Sequence, residues 1–146
     1  MQKTQALAIY ALIASVVAAT FVMALLTTQK TISGTGAMKA VGVGVYWDLS
    51  CTNATSSLNF GLLESGESKN FTLYLKNSGN SPLTLSMTTQ NWNPSTASSY
   101  MTLTWNREGQ QVSPGQVIQF VITLSVSPSV TGISSFSFDT KITGTG

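Results

Sequence analysis

Ala6 to Leu26, ALAIYALIASVVAATFVMALL, runs for twenty-one residues without a charge, and only Tyr10, Ser15 and Thr20 interrupt its apolar side chains. At 1.5 Å per residue a helix of this length measures about 31 Å, roughly the hydrocarbon thickness of a bilayer. A helix lying on a soluble domain would carry a polar face, and this segment has none. A secretory signal needs only about 7–15 apolar residues, so the length favours a retained transmembrane helix over a cleaved export signal. Both readings deliver the chain to a membrane. Ala11, Ser15 and Ala19 recur at every fourth position, with Ala14 and Ala18 one ridge over. Small residues at that spacing let transmembrane helices approach closely, so the three are candidate helix-packing positions.

The segments flanking this run divide the chain. Residues 1–5 form a short tail whose only charged side chain is Lys3. Lys30 and Lys39 follow the apolar run, so the count of positive charges on its two sides does not settle orientation. Asn53-Ala54-Thr55 and Asn70-Phe71-Thr72 are N-glycosylation acceptor patterns, and they place the C-terminal part outside the cell. Residues 27–37, TTQKTISGTGA, are polar with two glycines and read as a flexible linker. Residues 38–146 are left for a folded domain, enough for a core of its own.

In that domain the hydrophobic period is two. Val41, Val43, Val45 and Trp47 alternate with Gly42, Gly44 and Tyr46, which predicts a first strand. Phe71, Leu73 and Leu75 predict another, and Leu83, Leu85 and Met87 a third, with Asn77–Pro82 as the turn between them. Asn91 to Ser99 reads as a loop, followed by the alternation of Met101, Leu103 and Trp105. Ile118, Phe120, Ile122, Leu124 and Val126 make the longest one-sided face, and Phe136, Phe138 and Ile142 define the last strand. Six or seven one-sided strands without an amphipathic helical window bury their apolar faces most simply as two packed antiparallel sheets. The expected fold is therefore all-β: an antiparallel sandwich, Ig-like or jelly-roll-like, behind one N-terminal hydrophobic helix.

Chemistry is sparse. The chain has no histidine, which excludes His-based triads, imidazole metal ligands and His acid–base catalysis. Cys51 is the single cysteine, so no intrachain disulfide forms. Gly42-Val43-Gly44 lacks the third glycine and the following helix of a dinucleotide loop. Asp48 near Asn53 would make at most a weak Ca²⁺ site, and a solvated turn is the simpler reading. Trp47 and Trp105 fall on apolar strand faces and read as core, whereas Trp92, between two asparagines, is the candidate for surface contact. Lysine and arginine number 7 and aspartate and glutamate 5, with no basic cluster, so nucleic acid is not an implied partner. The charged share of 8% is far below the roughly 25% of ordinary soluble domains. Twenty serines and twenty threonines fill part of that gap. Such a surface suits a crowded exterior or packing against copies of itself. No enzyme, cofactor, metal or small-molecule substrate is predicted.

The stretch NFGLLESGESKNFTLYLKNSGN, from Asn59 to Asn80, resembles exported β-sandwich modules in which a G-x-L-x-x-G-E-S turn leads into a strand and an N-x-G-N hairpin. The resemblance is to Ig-like surface domains of archaea and, more loosely, to camelysin/TasA-type filament proteins. It implies an extracytoplasmic structural or adhesive protein, a filament subunit joined by strand exchange among the options. The chain departs from type IV pilins, since no glutamate lies within the apolar run and no Lys or Arg directly precedes a small residue at its start. The leading expectation is a non-enzymatic cell-surface or secreted filament protein that self-associates, or joins other surface proteins, through its N-terminal segment. Val41, Val43, Val45 and Trp47 are then the candidate assembly strand. The alternative is a membrane-anchored accessory module that binds a ligand through loops such as Asn91–Tyr100.

Overall fold

The computed structural model describes residues 30–146. The segment Ala6–Leu26, with Ala11, Ser15 and Ala19, lies outside the described residues. Among the described residues no helix is long and apolar enough to cross a membrane.

Nine strands follow one another: β1 (Thr31–Val41), β2 (Gly44–Tyr46), β3 (Ser57–Glu64), β4 (Ser68–Lys76), β5 (Leu83–Asn93), β6 (Met101–Trp105), β7 (Gln111–Val112), β8 (Val117–Val126) and β9 (Ser135–Thr145). A single 3-10 turn, Ser95–Ser99, joins β5 to β6. Five strands form one sheet in the order β3-β1-β9-β5-β7, and four form the other in the order β2-β4-β8-β6. The fold is an all-β sandwich, as the period-two pattern requires.

Its core comes from the inward residues of both sheets. Phe120, Ile122 and Leu124 of β8 sit beside Leu73 and Leu75 of β4, facing Phe60 and Leu63 of β3, Leu85 of β5 and Ile142 of β9, all fully buried or nearly so. β8 has the burial alternation expected from its sequence along its whole length. The turn between β4 and β5 is fixed by Asn77, which is completely buried. Its Nδ2 donates to the carbonyls of Ser81 (2.8 Å) and Val112 (3.0 Å), and its Oδ1 accepts from the Gly79 N–H. One side chain thus satisfies backbone groups from two loops that would otherwise be buried without partners.

Two expectations are corrected here. The sandwich is not wholly antiparallel: β1 runs parallel to β9, from Ser33 opposite Ser135 to Val41 opposite Thr143. The polar stretch 27–37 is not a linker throughout, because Thr31–Ala37 is the first half of β1. It escapes the hydrophobic pattern because its inward positions are Ile32, Gly34, Gly36 and Met38, of which two have no side chain at all. The missing bulk is supplied from the next strand. A Cβ on Gly34 would fall within the Phe136 ring, and one on Gly36 would crowd Phe138 and Phe60.

Candidate functional site

β1 is the first strand of the described chain, yet it lies inside its sheet. On one side it pairs antiparallel with β3, Thr31 opposite Glu64 through Ala37 opposite Ser57. On the other it pairs parallel with nine residues of β9. Parallel strands need a long crossover connection, and here the whole intervening domain provides it. The β3 side contains one irregularity: Phe60 is extra where the register passes from Gly34–Gly61 to Thr35–Asn59. Gly61 there has φ +66°, and its N–H donates to the Asn59 side chain. The result is a β-bulge that lets Phe60 turn fully inward on an edge strand.

The candidate assembly strand is displaced from the position that alternation suggests. β1 ends at Val41, and Gly42, with φ +78°, turns the chain across to β2 in the opposite sheet. A side chain at Gly42 would strike the Gly144 carbonyl. Inward residues are even-numbered before this turn and odd-numbered after it. Of the four predicted side chains, Val45 is buried, Val43 is half-buried and Val41 and Trp47 are exposed by 39% and 38%. They are not one face of one strand. The residues with strand-pairing geometry at the N-terminal end of the domain are those of Thr31–Val41.

The tryptophans differ from expectation in two ways. Trp47 is at the rim and not in the core, resting edge-on against Phe71 with ring centroids 5.8 Å apart. Trp92 is within β5, half-buried, and stacks on Phe138 with centroids 4.2 Å apart and planes 17° from parallel. Its Nε1–H donates to the Thr89 hydroxyl at 3.3 Å. Asn91, at φ +55°, breaks the register of β5 with β9 and turns the Trp92 ring onto the phenylalanines. Trp105 is half-buried, edge-on to Phe120, with its Nε1–H donating to Glu108 at 2.7 Å.

The two acceptor asparagines, Asn53 and Asn70, are both exposed. Asn70 is mid-strand in β4, opposite Thr123 of β8. Asn53 closes the Trp47–Thr55 loop, where Asp48 is the organising side chain. The Asp48 carboxylate accepts from the Thr52 N–H and hydroxyl and from the Asn53 N–H. The Thr52 hydroxyl above all, and the Asn53 N–H, hold this carboxyl below its usual value of 3.8. No group of acidic, Cys or His side chains suited to a metal exists among the described residues.

A shallow groove of about 320 Å³ runs over the start of β1 and β9, lined by Ser33, Thr35, Asn93, Pro94, Ser135 and Ser137. Its side chains are hydroxyls and an amide, and it holds no acid, base or nucleophile pair with the geometry catalysis needs. No protein-family model matches the chain, and no curated protein matches it.

Proposed function

We propose that the chain is a non-enzymatic structural protein of the cell surface, delivered to the membrane by Ala6–Leu26 and assembled with copies of itself through β1. The observation that carries this reading is the position of β1. It is the first strand of the domain, it is paired on both sides, and it covers Phe136 and Phe138 with glycines. Withdrawing it would leave two unpaired strand edges and a row of aromatic rings open to water, a groove that any copy of β1 can fill. Only Gly42 and Val43 separate β1 from β2, so straightening this joint sends β1 away from its own domain. Exchange made in one direction is head-to-tail and generates open filaments. Within this reading the sandwich is Ig-like, since the parallel β1–β9 pair is foreign to the wholly antiparallel jelly roll. The hydroxyl-rich surface with few charges supports packing of like against like.

Ser33 and Ser135 are register partners and both are exposed. Two versions of the chain, S33C and S135C, each also carrying C51S, are co-expressed and oxidised. A disulfide between the two versions is expected, because adjacent strands bring paired positions within bridging distance. Crosslinking confined to a chain carrying both cysteines means that β1 closes its own sheet and refutes exchange.

A further inference from the structure

We propose that Asn53 is an N-glycan acceptor and that Trp47, its neighbour across the loop, is the platform for the first sugar ring. The proposal rests on the exported reading above, because the transfer takes place on the outer side of the membrane.

The two residues face each other. The Trp47 N–H donates to the Asn53 carbonyl at 2.8 Å, one step beyond the bridge between Tyr46 and Ala54. Residues opposed in this way project to the same side with Cβ atoms about 4.5–5.5 Å apart. Asn53 is exposed, and its side-chain amide makes no hydrogen bond among the described residues. Its backbone is held by Asp48 at 2.7 Å, so the amide is presented outward from a fixed loop. Thr55 supplies the hydroxyl that the acceptor pattern needs.

The surface beside Asn53 is unusual for this chain. Trp47 is 38% exposed and Leu49 65% exposed in the same short loop, on a domain whose shell is mainly hydroxyls and amides. The Trp47 ring is braced edge-on by Phe71, which leaves indole surface open to solvent. The apolar face of a sugar ring fits such a surface and removes it from water. Asn70 has the same acceptor pattern but lies within the β4–β8 ladder, so the proposal is confined to Asn53.

The transfer balances with a lipid-phosphate-linked oligosaccharide as donor. The Asn53 Nδ2 forms a bond to the anomeric carbon, that carbon's bond to the phosphate oxygen breaks, the amide loses one proton, and the lipid phosphate leaves.

The test uses the full chain expressed in a yeast secretory host, extended at its C-terminus by Asn-Ala-Thr as a second acceptor. Peptide mass spectrometry reads both sites. Occupied Asn53, lost in N53Q and T55A, is expected. An occupied C-terminal acceptor with bare Asn53 overturns the proposal. If both are bare the chain has not been exported, and the surface reading falls together with this one. The platform is read separately by melting temperature. The glycosylated chain is expected to melt above N53Q, and W47A, or W47L where the alanine variant does not fold, should abolish that difference. A difference that survives at equal occupancy removes Trp47 from the proposal.

Discussion

Phe136 of β9 lies over Gly34 of β1, its ring filling the volume that a side chain on Gly34 would occupy. Phe138 repeats the arrangement over Gly36, and Trp92 stacks on Phe138 from the β5 side. Three aromatic rings therefore form a layer against which β1 is almost a bare backbone. A strand of that kind adds two rows of hydrogen bonds and covers apolar area with little side-chain interlocking. Its seating depends on the absence of atoms.

Gly34→Ala tests this directly. The added methyl must displace a ring held between neighbours, and overpacking of a close-packed core costs about 1–3 kcal/mol. Urea unfolding of a fragment spanning 30–146 should show that loss, while Ser33→Ala, on the outer face of β1, should stay within about 0.5 kcal/mol. Equal effects at the two positions would mean that Phe136 is free to move aside.

Phe120 lies mid-strand in β8, wholly buried and edge-on to Trp105. Phe120→Ala should cost about 3–5 kcal/mol, enough to unfold a domain of ordinary stability. Ile122→Val, which removes a single methyl from the same face, should cost about 0.5–1.5 kcal/mol. A loss below about 1 kcal/mol for Phe120→Ala would contradict its place in the core.

β8 and β1 mark the two extremes of what the sequence reveals. In β8 the strand's own side chains alternate, so Ile118, Phe120, Ile122 and Leu124 announce both the strand and its buried face. In β1 the apolar bulk belongs to Phe136 and Phe138 of a neighbouring strand, and Thr-Ile-Ser-Gly-Thr-Gly read alone has the composition of a linker. Hence the sandwich was legible, and the strand that best fits an assembly role was placed several residues too late. The reversal of inward parity at Gly42 is equally silent, since one left-handed residue changes no hydrophobic pattern. Trp92 is a third case: two flanking asparagines suggest a loop, but Asn91 in a left-handed conformation is what turns the ring inward. Phe136, Phe138 and Ile142 in β9 were legible for the same reason as β8, because their bulk is their own.

Trp92 should behave as a packing residue. Trp92→Ala uncovers Phe138 and removes a stacked pair that contributes about 0.5–1.5 kcal/mol beyond the area it buries. The variant should therefore lose stability, and Trp92→Phe should recover most of it. A Trp92→Ala chain with unchanged unfolding midpoint would return this residue to a surface role.

Asp48 sets the expected response to acid. Its carboxyl is held below 3.8 in the folded chain by the Thr52 hydroxyl and the Asn53 N–H. A depressed folded-state value means that the ionised group stabilises the fold above the unfolded value, and that this contribution fades as pH falls through the lowered folded value. The loop Asp48–Asn53 should thus keep its geometry at neutral pH and loosen below pH 3.8. The amide resonances of Thr52 and Asn53 should shift together through that window. Asp48→Asn should abolish the transition, and a transition that persists in it would place the titrating group elsewhere.

Asn77 offers the sharpest contrast between similar side chains. Its amide nitrogen donates to two carbonyls, Ser81 and Val112, while its oxygen accepts from Gly79. Asn77→Asp keeps the shape and the acceptor but removes both donors, and it sets a carboxylate against two carbonyl oxygens in a buried site. Leaving buried polar groups unpaired costs about 1–3 kcal/mol, and the charge adds to it. Because the carboxylate is disfavoured by burial and by the facing carbonyls, its pKa should rise. Asn77→Asp should then be less damaging at low pH, where the protonated acid can again donate one hydrogen bond. Unfolding midpoints measured for the variant and the parent at several pH values should converge as pH falls. Parallel curves for the two proteins would show that the site admits water and that Asn77 does not hold the two loops together.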